Sequence, residues 1–153
     1  MTLAVGDVAP DFTLPCSTGG TVTLSELRRS SGRNVVLFFY PKDETPGCTV
    51  EACSFRDEYE TFADAGAEVL GISSDSAESH QRFAARHHLP MKLLTDADGK
   101  VRKAYDVRPT VLGILPGRAT FVIDREGIIR HVFVSQLRVR VHVKEALAVV
   151  KSL

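Results

Sequence analysis

The sequence predicts a single α/β domain, residues 1–153, in which a central mixed β-sheet is flanked by helices and preceded by an N-terminal β-hairpin. Three observations carry this. Short runs of β-branched, aromatic and aliphatic residues alternate along the chain with longer stretches whose apolar residues recur at helical spacing. A late pair of strand-like segments is joined by a tight polar turn. The 153 residues suffice for one hydrophobic core and not for two.

The elements follow in order. Phe12-Thr13-Leu14 and Thr21-Val22-Thr23-Leu24 flank Ser17-Thr18-Gly19-Gly20, a hairpin pattern, and Ser25 is positioned to cap a short helical turn through Arg29. Asn34–Tyr40 is an almost unbroken apolar run, the pattern of a strand buried on both faces. Pro41 opens a loop that closes with Thr45-Pro46-Gly47-Cys48. A helix is then expected from Thr49 to Ala65, with Ala52, Phe55, Tyr59, Phe62 and Ala63 as its apolar stripe and Gly66 as its stop. Glu68–Ser73 reads as a second buried strand. Ser76–His87 reads as a helix capped by Ser76, with Pro90 beyond it, and Met91–Leu94 as a short strand. Asp96-Ala97-Asp98-Gly99 turns into a helix around Val101–Tyr105, and Ala119–Ile123 and Ile128–Val134 are strands joined by Asp124-Arg125-Glu126-Gly127. In the tail, Val139, Val141 and Val143 alternate like a strand, whereas Val139, Val143, Leu147 and Val150 fit a helix; the continuing apolar run favours the helix.

Composition narrows the function. Apolar residues make up 44% and charged residues 25%, which excludes a disordered chain, a collagen-like repeat and a disulfide-dense mini-protein. Lys+Arg and Asp+Glu each number 19, so no overall basic footprint for nucleic acid exists. The first half of the chain is acidic and the second basic, which reads as solvated faces. No apolar run approaches the roughly 18 residues that span a bilayer. The N-terminus lacks a basic start followed by an apolar core, so the expected location is cytoplasmic. There, three cysteines point to catalysis, redox chemistry or metal binding more than to structural disulfides.

Other features read as structural. Asp96-Ala97-Asp98-Gly99 lacks the third ligand and the distal Glu of a calcium loop, so it is a capping turn. Arg138, Arg140 and Lys144 have no interleaved aromatics and read as a solvated face. His80, His87 and His88 are expected at the surface of their helix.

Cys48 stands between a buried strand and a helix. Helix N-termini present unsatisfied N–H groups and about half a positive charge, and both favour a thiolate, the reactive form. The competing reading is a buried, inert cysteine. On one regular helix, Cys48 and Cys53 would have Cα atoms about 8.6 Å apart, whereas a disulfide needs less than roughly 7 Å. The two sulfurs can therefore join only if the first turns unwind.

The segment Pro41-Lys42-Asp43-Glu44-Thr45-Pro46-Gly47-Cys48-Thr49-Val50-Glu51-Ala52-Cys53 resembles the active-site motif of peroxiredoxins, Pro-x3-Thr-x2-Cys. Its Cys-x4-Cys continuation is similar to the peroxiredoxin Q, or bacterioferritin comigratory protein, subfamily. Gly6-Asp7-Val8-Ala9-Pro10-Asp11-Phe12 and Gly117-Arg118-Ala119-Thr120-Phe121-Val122-Ile123-Asp124 extend the resemblance over essentially the whole chain. It implies a thioredoxin-like fold and thiol-dependent reduction of hydrogen peroxide and organic hydroperoxides, with no bound metal, flavin or haem. It makes Cys48 the peroxidatic cysteine and Cys53 the resolving cysteine. Thr45 would hydrogen-bond thiolate and peroxide, Arg118 would supply a fixed positive charge, and Pro41 would shield the pocket. Glu51 would orient the arginine. Thioredoxin or a glutaredoxin-like donor would reduce the resulting intramolecular disulfide, in a monomer. Cys16 lies outside the motif, either a bystander or an alternative resolving or intermolecular thiol. The competing functions are a thioredoxin-like disulfide oxidoreductase, which would usually carry Cys-x2-Cys, and a thiol switch that oxidises without turning over.

Overall fold

The computed structural model describes residues 3–109 and 117–153. The hairpin is β1 (Thr13–Pro15) against β2 (Thr21–Thr23), with Leu14 opposite Val22. Then come α1 (Leu24–Ser31), β3 (Asn34–Phe39), α2 (Pro46–Asp57), α3 (Tyr59–Asp64) and β4 (Ala67–Ser73). These are followed by α4 (Ala77–His87), β5 (Lys92–Thr95), α5 (Lys100–Ala104), β6 (Ala119–Ile123), β7 (Ile129–Val134) and α6 (Val139–Ser152). The sheet order is β5-β4-β3-β6-β7, with β3, β4 and β5 parallel and β6 and β7 antiparallel to their neighbours. This is the expected mixed sheet, and the C-terminal tail is the expected helix.

Strand β3 is buried along its whole length because it lies in the middle of the sheet. Successive side chains point to opposite faces, and the two faces feed two cores. Val35, Leu37 and Phe39 pack with the hairpin, Leu24, Val101 and Tyr105. Val36, Phe38 and Tyr40 pack with Phe55 of α2, Phe62 of α3, Phe83 of α4 and Val143 of α6. Gly71 on β4 makes the second core possible: a Cβ there would stand 2.7 Å from the Phe38 ring. Phe38 instead stacks on Phe55 at 4.5 Å between centroids.

Two local expectations give way. The helix expected over 49–65 begins three residues earlier, with Pro46 at its first position, and breaks at Glu58 into α2 and α3. Ser25 does not cap α1; Thr23 holds that position, and the Ser25 hydroxyl and N–H both donate to the Asp11 carboxylate, at 2.7 and 2.9 Å.

Candidate active site

The topology brings together residues far apart in sequence. In β-sheets of this kind, ligands collect at the carboxyl ends of the parallel strands. Chain leaving β3 passes through Tyr40 and Pro41 into α2, which places Cys48 in the first helical turn. Because β6 runs antiparallel to β3, with Ala119 opposite Phe39, the residue just before β6 comes to the same end of the sheet. That residue is Arg118, and its Nη2 donates to Cys48 Sγ at 3.4 Å. Gly47 permits this approach, since a Cβ there would lie 3.2 Å from the same nitrogen. Cys48 is 1% exposed and Arg118 4%.

Helix geometry adds to the positive character around the sulfur. Gly47 and Cys48 are in the first turn, where backbone N–H groups have no intrahelical acceptor. Arg118 is a fixed cation: burial opposes its charge, but Glu51 and Cys48 more than offset this and hold its pKa above the ordinary value. A second guanidinium, Arg102 of α5, ties the two halves of the site together. It donates to the Gly117 carbonyl at 2.6 Å and to the Tyr40 carbonyl at 3.0 Å. No Cβ fits at Gly117, because it would fall 1.9 Å from the Arg108 carbonyl oxygen.

Behind Arg118 lies a buried polar chain. Arg118 Nη1 donates to Glu51 Oε1 at 2.7 Å. Burial pushes the Glu51 carboxyl up to about 7, against the lowering pull of Arg118. His142 of α6 faces the other carboxyl oxygen at 3.7 Å. Its Nε2 donates to the Ser135 carbonyl at 2.8 Å, so its Nδ1, 2.7 Å from Thr120 Oγ1, accepts the hydroxyl proton. Burial pushes the ring down to about 4, consistent with this neutral form.

The loop between β3 and α2 is braced from α4 and β4. The Tyr40 hydroxyl and the Ser79 hydroxyl donate to the two Asp43 oxygens at 2.6 and 2.8 Å, and His80 Nδ1 lies 2.7 Å from Asp43 Oδ2. The Asp43 N–H donates to Asp75 at 2.8 Å. His80 was expected at the surface and is instead fully buried, because its helix turns that face to the sheet and Asp43 and the Leu94 carbonyl satisfy both ring nitrogens. His87 is half-buried and meets Glu44 at 3.0 Å, and His88 is exposed at the αL end of α4. Among the described residues, Asp43, Asp75 and His80 are those whose ligating atoms converge as for a metal, within 4.8 Å. The hydrogen bonds above already engage the His80 ring and both Asp43 oxygens, so the cluster acts as a brace.

Among the remaining residues singled out in the sequence, Pro41 is buried at the start of the loop. Thr45 occupies the N-cap position of α2, but its hydroxyl caps nothing and does not reach the sulfur; it donates to the Lys42 carbonyl at 2.8 Å. Cys53 is half-buried on the same unbroken α2, beside a shallow groove of about 240 Å³ lined by Thr49, Val50, Cys53 and Arg140. All three cysteines are free thiols. Cys16 is buried on the opposite face of the sheet, bridged to Leu94 and 3.1 Å from the Thr18 hydroxyl. The Asp96 turn is the expected cap, its carboxylate accepting from the N–H groups of Val101 and Arg102 at 3.2 and 2.9 Å. Sequence reasoning missed Arg102, His142 and the Asp43 brace. A polar residue on a helix face otherwise apolar, as His80 is beside Phe83, was the available signal.

Known proteins place the chain. The model of the AhpC/TSA family matches residues 5–132. A chloroplastic peroxiredoxin Q of Triticum aestivum is 47% identical over 148 residues, covering 97% of this chain and 67% of the relative. Among solved structures, the peroxidoxin BcpB of Mycobacterium tuberculosis superposes with a TM-score of 0.87 at 39% identity, covering 97% of each chain. The bacterioferritin comigratory protein of Xanthomonas campestris, described for its alkyl peroxide reduction activity, gives 0.81 at 34% identity, covering 92% of this chain and 90% of its own.

Proposed function

The chain belongs to the AhpC/TSA family and is a thiol peroxidase of the peroxiredoxin Q type, and from that premise we propose that Cys48 is its peroxidatic sulfur and Cys53 its resolving partner. The observation that carries this is the Arg118 guanidinium 3.4 Å from a buried Cys48 Sγ in the first turn of a helix. The Cys48 thiolate attacks one peroxide oxygen. An S–O bond forms, the O–O bond breaks, and the electron pair leaves with the second oxygen, which becomes water or an alcohol after protonation. Negative charge spreads over sulfur and both oxygens in the transition state. Arg118 beside the sulfur and the N–H groups of the first turn would meet that charge as it develops, and a preorganised donor of this kind is typically worth about 3 kcal/mol. Turning the Thr45 hydroxyl from the Lys42 carbonyl toward the sulfur would add a third donor, and Pro41 walls the site from water.

The Cys53 thiol then attacks the Cys48 sulfenic acid, releasing water and forming an intramolecular disulfide. Both cysteines lie on the intact α2, so pairing requires its first turns to open. Thioredoxin or a glutaredoxin-like donor restores the thiols by exchange. Resolution within one chain needs no second subunit, so the working unit is a monomer. Hydrogen peroxide and organic hydroperoxides are both substrates in this reading.

Peroxide consumption coupled to thioredoxin, its reductase and NADPH tests it. Cys48→Ser should abolish turnover. Cys53→Ser should allow one oxidation and no thioredoxin-dependent cycling, and Cys16→Ser should cycle normally. Normal cycling by Cys53→Ser together with failure of Cys16→Ser would transfer the resolving role to Cys16.

A further inference from the structure

Arg118 serves two acids through two different nitrogens. Nη2 is on Cys48 Sγ at 3.4 Å and Nη1 on Glu51 Oε1 at 2.7 Å. Glu51 is fully buried, and its Oε2 has no hydrogen-bond partner among the described residues. What faces that oxygen is His142, at 3.7 Å, whose two nitrogens are committed to Ser135 and Thr120 in the neutral form. The groups around Glu51 are therefore one cation before β6, one ionisable sulfur on its own helix, and an uncharged imidazole from α6. His131 on β7 lies beyond His142, and Arg102 acts on the sulfur from α5. With thiolate and carboxylate both ionised, a water-poor pocket would hold two anions for one adjacent cation, which burial strongly disfavours.

We propose that Arg118 balances one negative charge at a time: Glu51 carries a proton while Cys48 is a thiolate, and releases it when peroxide converts the sulfur to uncharged sulfenic acid. This rests on Cys48 being the peroxidatic residue. Glu51 is then a positioning residue. While neutral it steers the guanidinium by one hydrogen bond and leaves the positive charge for the sulfur. The step balances as thiolate plus Glu51 carboxylic acid plus hydroperoxide giving sulfenic acid plus Glu51 carboxylate plus alcohol. The leaving alkoxide takes one proton, Glu51 gives one up, and solvent supplies none in the sum. The upward displacement of the Glu51 carboxyl to about 7 agrees with a proton held near neutrality.

The test uses the full chain carrying Cys53→Ser, so that no disulfide follows oxidation, at a pH just below neutrality. The infrared difference spectrum between reduced protein and protein treated with one equivalent of peroxide should lose a carboxylic-acid C=O band and gain carboxylate bands. Both features should vanish when Glu51→Gln is added. An indicator dye in weak buffer should register almost no proton uptake per peroxide in Cys53→Ser. That second reading needs no Glu51 variant to fold. A carboxylic-acid band that is absent at the start, or survives oxidation, overturns the proposal, as does uptake of one full proton. Trapping the sulfenic acid at Cys48 in the same sample keeps the outcomes apart, since failure to trap it there refutes the peroxidatic assignment instead.

Discussion

Replacing Glu51 with glutamine removes one proton-binding site and should change how stability depends on pH. In the folded chain the carboxyl titrates at about 7, against an ordinary value of 4.5. Between those limits the folded state keeps a proton that the unfolded chain has released. Its contribution is complete below 4.5 and is lost as pH rises to about 7. One proton corresponds to about 1.4 kcal/mol per pH unit, or about 3 kcal/mol across the window. His142 works the other way. Burial moves its ring from 6.5 down to about 4, so the unfolded chain takes up a proton that the folded state refuses. Its contribution is present above 6.5 and lost as pH falls toward 4. Over the overlap the two slopes oppose each other in the native protein. Glu51→Gln leaves only the histidine, so the variant should gain about 1.4 kcal/mol per pH unit relative to wild type. Urea unfolding of the reduced proteins at stepped pH measures this, with an unchanged m-value confirming that the same surface is exposed. Parallel stability curves for the two proteins between 4.5 and 7 would refute the reasoning.

Three further outcomes are expected. Hydrogen exchange of the disulfide form should show lost protection from Thr49 to about Asp57, because opening α2 as far as Cys53 frees the N–H groups four residues beyond; Phe62 and the β3 amides should keep theirs, and an unchanged 49–57 segment would count against unwinding. Arg118→Met should slow single-turnover oxidation of Cys48, followed by stopped flow in a Cys53→Ser background, by roughly 10²–10³-fold; a loss under tenfold would mean that the guanidinium contributes little. Gly71→Ala should cost about 1–3 kcal/mol in denaturant unfolding, because its Cβ would meet the Phe38 ring at 2.7 Å and Leu93 at 2.8 Å; unchanged stability would show that the two side chains yield freely.

Local pattern was enough wherever one strand or helix decides its own burial. The run Asn34–Tyr40 announced a two-faced central strand because Val35 to Phe39 are all apolar and alternate between two cores. The helix around Phe55 and Phe62 was legible in type, but its break at Glu58 was not, since neither Gly nor Pro marks it. Arg118 meets Cys48 across 70 residues, and periodicity carries no information about such a pairing; only the family resemblance singled it out. Arg102 and His142 look like ordinary surface residues of amphipathic helices until the sheet order sets what each helix faces. His80 misled for the same reason, because its burial depends on an aspartate 37 residues earlier that supplies a hydrogen-bond partner for its ring.

The helix that must open is held unequally along its length. At its start Pro46 brings no N–H, Thr45 gives no side-chain cap, and no acidic residue faces the dipole. At its end Phe55 is stacked against Phe38 and packed near Phe62, and Arg56 donates to the His87 carbonyl at 2.8 Å. Burying a phenylalanine this way is worth about 1.5–3 kcal/mol, and the stacking roughly 1 kcal/mol more. Opening is therefore confined to the turns before Phe55, which is the stretch that separates the two cysteines. Within that stretch Ala52 packs in the core, and Glu51 is held by the hydrogen bond from Arg118. Freeing Cys53 to reach Cys48 means withdrawing Glu51 from the guanidinium, so the contact that prepares the sulfur for peroxide must be broken before the resolving cysteine can reach it.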